Sequence, residues 1–322
     1  MTNRINSRLF FLAPLVCTLL IFGTTPTTAT DRGKAVQVFI LAGQSNMEGQ
    51  GVVSMDHPEY YNGGKGNLVW SMEHSASKGK MQPLRDANGQ WVVRKDVDIS
   101  FKVRDTVRKG GLTVGYTGYR GSTHIGPELQ FGHVMGDFFE ERVLLIKTAW
   151  GGKSLYKDFR PPSSAGEAGP YYRQMIQEVH EALESLGDIE YKIRGFVWMQ
   201  GWNDMCTEAA VPEYADNLLN LAADIRREFN APRLPIVIGE LGNGGAAKPN
   251  TRMQKFRDAQ RQGAERIEDA MFVPTQSFAR PRELSPNVGH GHHWYGNAES
   301  YFLIGDALAE GMKKLLLLQN SQ

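Results

Sequence analysis

The sequence predicts an α/β fold of three layers, α/β/α, around a mainly parallel sheet. Three observations carry this expectation. Short apolar runs at 36–41, 143–148, 195–199 and 234–239 have the length and composition of buried strands. Segments with helical apolar spacing stand between them, as a parallel sheet with crossover helices requires. The chain has 322 residues, enough for one large domain with a full core.

Residues 1–30 read as a secretory leader. Arg4 and Arg8 supply the positive start, Leu9 to Phe22 the apolar centre, and the small residues ending at Ala29 a cleavage site. The apolar centre is short for a membrane span, and an uncleaved anchor is the alternative. Past the leader only Cys206 remains, so no intramolecular disulfide can form. A secreted or periplasmic protein is expected, with no membrane contact once the leader is removed. The formal net charge of +1 argues against nucleic acid or an anionic surface as the main partner.

The first strand, Val36 to Leu41, breaks at Gly43, and Ser45 follows between Gln44 and Asn46. A serine just past a buried strand stands where open α/β sheets hold ligands; taken alone, it is more simply read as a cap on the next helix. Residues 52–123 lack helical periodicity and read as a β-rich insertion, with Trp91–Val93 and Leu112–Val114 as short strands. Within it, 94–109 alternates charged with apolar residues, as a solvated hairpin or a flap over the substrate would. Pro127 and Glu128 then open a helix whose buried face carries Leu129, Phe131, Val134, Met135 and Phe138. Glu128 suits the helix dipole there.

The strand 143–148 runs into Ala149-Trp150-Gly151-Gly152-Lys153. Such a turn can aim a free N–H at a developing oxyanion, or can be a turn only. An amphipathic helix follows, with Met175, Ile176, Val179, Leu183 and Leu186 inward, closing at Gly187. The strand 195–199 delivers Gln200-Gly201-Trp202-Asn203-Asp204, a polar cluster behind apolar residues. Another helix (213–229) precedes the strand that ends at Glu240. A polar-faced helix over 251–269 and a short strand at 270–273 come next. Last, His290, His292 and His293 stand just before a terminal helix reaching about Leu318.

Phe-Ile-Leu-Ala-Gly-Gln-Ser-Asn-Met-Glu-Gly resembles the nucleophile block of the SGNH hydrolases. It is most similar to the branch holding sialate O-acetylesterases and family 6 carbohydrate esterases, which include acetylxylan esterases. Gly-Pro-Glu-Leu-Gln-Phe-Gly, the Gly-Gly turn, Gly-x-Asn-Asp and His-x-x-Gly-x-Ala resemble later blocks of that branch, in the same order. The resemblance covers about 36–51 and 124–315 and implies a flavodoxin-like sandwich. It implies Ser45 as nucleophile, His293 as base, and an oxyanion hole from Gly152 (or Gly151), Asn203 and Gln200. Gln44, Trp150 and Lys153 would touch substrate. Two departures stand out: Trp202 occupies a position where the branch often has an acid, and the acid three residues before the histidine is replaced by His290. Asp204 is then the first candidate for the triad acid and Glu240 the second, with a Ser–His dyad as the remaining option; His292 or His290 could replace His293.

The implied reaction is hydrolysis of an acetyl ester on a carbohydrate, through an acyl-enzyme and with no metal or cofactor. Two readings compete. The histidine cluster could bind zinc together with Asp204 or Glu240. A catalytically inactive carbohydrate-binding protein would keep the fold and lack the acid.

Overall fold

The computed structural model describes residues 1–2 and 35–321. The chain divides into Met1–Gly33 and Lys34–Gln322, and the fold belongs to the second unit. The leader expected over 1–30 lies outside the described residues, apart from its first two.

Strand β1 (Val36–Gly43) is buried along its whole length. Phe39 and Leu41 face one core while Val36, Val38, Ile40 and Ala42 face the other, the two-residue period of a strand covered on both sides. It runs into the one-turn helix α1 (Ser45–Glu48) and then β2 (Gly51–Val52). Helix α2 (Leu68–His74) starts where the Asn67 side chain accepts the N–H of Trp70, and α3 (Lys78–Met81) follows. Then come β3 (Val97–Val103), β4 (Thr106–Gly111) and β5 (His124–Ile125), the last pairing with β2 outside the main sheet. The remaining elements alternate: α4 (Glu128–Phe138), β6 (Val143–Ala149), α5 (Pro170–Glu184), β7 (Tyr191–Met199), α6 (Trp202–Cys206), α7 (Tyr214–Glu228), β8 (Ile236–Gly239), α8 (Arg252–Glu265), β9 (Ala270–Val273) and α9 (Ala298–Asn320).

The main sheet has seven strands in the order β4-β3-β6-β1-β7-β8-β9. Every neighbouring pair is parallel except β3–β4. Helices α4 and α9 contribute to the core on one face, and α5, α7 and α8 to the core on the other. The predicted α/β sandwich with a mainly parallel sheet is therefore the observed architecture. From β1 the chain builds first to one side and then crosses to the other. The C-terminal ends of β1, β6 and β7 consequently open the crevice where such sheets bind ligands.

Residues 52–123 do not form a separate β-rich layer. They supply two helices, and β3 is a parallel member of the main sheet beside β6. The alternation Val97, Ile99, Phe101 is the reason: these side chains are at most 1% exposed, and Val97 and Ile99 join the core that α4 covers. Only β4, at the sheet edge, has the solvated character expected of a hairpin. Trp91 makes a single bridge to Arg85 rather than a strand. Among the described residues, no helix is long and apolar enough to cross a membrane.

Candidate active site

β1 delivers Ser45 to the crevice at the first position of α1, 8% exposed. Beneath it lies a buried ion pair. Lys147 on β6 donates to Glu128 Oε2 at 2.7 Å, to the carbonyl of Glu48 at 2.9 Å and to that of Tyr116 at 2.7 Å. Glu128 also accepts the N–H of Gly126. Burial lowers the Lys147 pKa and Glu128 opposes the shift. The pair ties the end of α1, the loop before β5 and the start of α4 into one support for the serine. Glu128 is thus more than a favourable charge on a helix start, and 115–125 packs on the loop that carries Ser45, with Tyr119 donating to Gln50 Oε1.

The histidine arrives from the other end of the chain. Ser45 Oγ lies 3.0 Å from His293 Nε2, the distance at which the hydroxyl donates to an unprotonated ring nitrogen. His293 lies in a 3-10 segment, Gly291–Gly296, in which Trp294 and Tyr295 both hold φ of 54°. Left-handed backbone is costly for aromatic residues. The segment is pinned on several sides. Asn46 and Asn243 both donate to the carbonyl of His292 at 3.1 Å. The Tyr301 hydroxyl lies 2.7 Å from Asn46 Oδ1 and 3.2 Å from the carbonyl of His293. Asn46, Asn243 and Tyr301 escaped the sequence reading. Only Asn46 carried a signal, its place beside Ser45.

Neither candidate acid is turned to His293. Asp204, 1% exposed, accepts the N–H of Leu155 and of Tyr156, both at 2.9 Å, and Gln200 Nε2 at 2.6 Å. Burial pushes it up to about 6 against those donors. Glu240 accepts Thr275 N–H at 2.9 Å and Gln276 Nε2 at 2.7 Å. Both carboxylates cap loops after the sheet, and among the described residues none pairs with His293. Burial, with His292 and His290 alongside, pushes the His293 imidazole down to about 4.

The turn after β6 carries the glycines expected to offer an oxyanion donor. Gly152 holds φ of 73°, which glycine adopts freely. Among the described residues its N–H, like that of Ser45, has no acceptor. Asn203 donates to the carbonyl of Gly152 at 2.8 Å and accepts from Gln44 Nε2 at 3.3 Å. That fixes its amide with one Nδ2 hydrogen left over. Gln200 differs. It is 3% exposed, and its Nε2 is committed to Gln44 Oε1, the carbonyl of Lys153 and Asp204. It braces the site from beneath and has no donor to offer an oxyanion.

Gln44, expected to touch substrate, is 2% exposed, and its Oε1 accepts the N–H of Gly201. It too is scaffold. Trp150 packs on Phe159 and Tyr171. Lys153 Nζ lies 4.2 Å above the ring of Tyr171 and 3.8 Å from Asp158. Together they form a wall beside the Gly151–Gly152 turn. His290 is exposed and His292 half-buried, with its ring 5.6 Å from that of Trp202. The three histidine rings lie 4.1 to 6.3 Å apart. Among the described residues, no three His, Cys, Asp or Glu side chains are grouped to hold a metal ion.

A family model described as carbohydrate esterase, sialic acid-specific acetylesterase, matches residues 35–314. A probable carbohydrate esterase of Arabidopsis thaliana is 25% identical over 227 residues, which is 70% of this chain and 74% of that protein. Its crystal structure superposes with a TM-score of 0.57 at 17% identity, covering 87% of this chain and 99% of that one. The structure titled NanS gives 0.53 at 12% identity, over 89% and 98%. A carbohydrate acetylesterase from Xanthomonas citri gives 0.52 at 14% identity, over 85% and 57%.

Proposed function

The chain belongs to the carbohydrate esterase, sialic acid-specific acetylesterase family, and on that footing we propose that it is a serine esterase that removes O-acetyl groups from carbohydrate through an acyl-enzyme. The observation that carries this reading is the 3.0 Å approach of Ser45 Oγ to His293 Nε2 at the C-terminal end of β1.

A serine hydroxyl attacks an ester only once a base takes its proton. His293, held neutral by burial at any pH well above 4, accepts it as Oγ bonds to the acetyl carbon. The carbonyl oxygen becomes an oxyanion, which the N–H groups of Ser45 and Gly152 and the spare Asn203 hydrogen receive. Each such donor contributes about 3 kcal/mol to the transition state. His293 then protonates the departing sugar oxygen, and later takes a proton from the water that releases acetate. In this reading the base is oriented through its backbone by Asn46, Asn243 and Tyr301, and the reaction runs on a dyad. The substrate is an acetylated glycan, acetylxylan being one, met outside the cytoplasm if the leader pattern exports the chain.

One observation favours a second reading, an inactive carbohydrate-binding protein: among the described residues no carboxylate supports His293. Acetate release from acetylated xylan and from an aryl acetate decides between them. The esterase reading expects hydrolysis by the wild type and its loss in Ser45→Ala and His293→Ala. Hydrolysis surviving Ser45→Ala would sink that reading. A wild type inactive on both esters would favour the binding protein.

A further inference from the structure

One carboxylate at the site has no task in the dyad chemistry. Glu48 follows Ser45 by three residues in the one-turn helix α1, so the two side chains share a face. A Cβ placed on Gly151 would lie 3.3 Å from Glu48 Oε2 and 3.8 Å from Ser45 Cβ, which puts carboxylate and nucleophile on the same side of that turn. A Cβ on Gly118 would come within 2.2 Å of Glu48 Oε1, so a glycine is what leaves room for the second oxygen.

The carboxylate is half-buried and lies beside Gly151, whose N–H favours its charged form. Among the described residues no side chain donates to it. Lys147, the cation whose field reaches it, gives its hydrogens to Glu128 and to two carbonyls. Burial raises the Glu48 pKa, and Lys147 and the Gly151 N–H oppose the rise. A half-buried acceptor beside a nucleophile keeps capacity for a donor from outside the chain.

We propose that Glu48 reads the alcohol half of the ester, its free oxygen accepting a sugar hydroxyl beside the scissile acetate. The inference rests on the acetylesterase reading and narrows it to neutral O-acetylated sugars with a free neighbouring hydroxyl. A hydroxyl donating to a carboxylate makes a charge-assisted bond, stronger than a neutral one. A substrate carboxylate at the same place meets like charge and is disfavoured.

The test compares wild type with Glu48→Gln on acetylated xylose, on an O-acetylated sialic acid and on an aryl acetate without hydroxyls. Relative to aryl acetate, kcat/KM on the xylose ester should fall about tenfold, and that on the sialic acid ester should rise. Ratios that stay fixed, whether all the rates fall together or none does, would overturn the proposal. Binding of deacetylated xylo-oligosaccharide to Ser45→Ala supplies a readout independent of turnover. Adding Glu48→Gln should weaken it about tenfold, and equal affinity would also overturn the proposal. Failure of the esterase reading is seen separately, as aryl acetate hydrolysis that survives Ser45→Ala.

Discussion

The two halves of the proposed dyad are built in opposite ways. Ser45 stands just past the central strand of the sheet, at the start of α1, over a fully buried Lys147–Glu128 pair that ties together three stretches of chain. His293 stands in a loop with two left-handed aromatic residues, and amide and phenol side chains hold that loop by its carbonyls. The serine is placed by the core. The histidine is placed by its own backbone. A base held that way needs no carboxylate for its orientation, though it forgoes the stabilisation a carboxylate gives to the imidazolium.

The largest expected effects fall on the dyad itself. Ser45→Ala and His293→Ala should each lower kcat/KM on an aryl acetate by about 10⁴-fold or more, with little change in the unfolding midpoint. Asp204 sharpens the comparison. A triad acid turned to asparagine typically costs about 10⁴ in kcat, whereas Asp204→Asn should cost far less here. Asp204→Ala should instead lower stability by about 3 kcal/mol, read by urea unfolding, because two buried N–H groups lose their acceptor. A 10⁴-fold loss in Asp204→Asn at normal stability would restore the triad.

On the serine side, Lys147→Met should destabilise the fold by about 3–5 kcal/mol by stranding Glu128. Lys147→Met combined with Glu128→Gln should recover part of that. On the histidine side, Tyr301→Phe removes the hydroxyl shared by Asn46 and the His293 carbonyl. It should lower kcat by about tenfold at unchanged KM, without the stability loss of Lys147→Met. Equal unfolding penalties in the two variants would erase the contrast between the halves.

The contrast also explains what could be read from the sequence. Buried strands announce themselves by composition, so β1, β6, β7 and β8, and with them Ser45 and the Gly151–Gly152 turn, were legible. Strand β3 was not, because it sits near the sheet edge and interleaves charges with Val97, Ile99 and Phe101. The histidine was legible only through its place before α9 and through resemblance to known blocks. Side-chain direction was the least legible feature. Asp204, Glu240, Gln44 and Gln200 all follow strands where a site would be, yet they spend their polar atoms on the scaffold. Loops beyond a parallel sheet leave N–H groups to satisfy, and the same residue types serve that need and catalysis.

The smallest effect expected is on the pH profile. An imidazole with its pKa lowered is neutral, and so basic, above that value and charged below it. Activity on an aryl acetate should therefore persist into mild acid and fall as pH drops through about 4. An unperturbed histidine would set the acid limb near about 6.5. A carboxylate on His293 would raise the limb rather than lower it.

The most direct test of the dyad is covalent labelling with a fluorophosphonate, the modified peptide being located by mass spectrometry. The wild type should carry the label on Ser45, His293→Ala should label far more slowly, and Ser45→Ala should not label at all. A wild type that hydrolyses acetyl esters while Ser45 stays unlabelled, or a label found on another residue, would contradict the account.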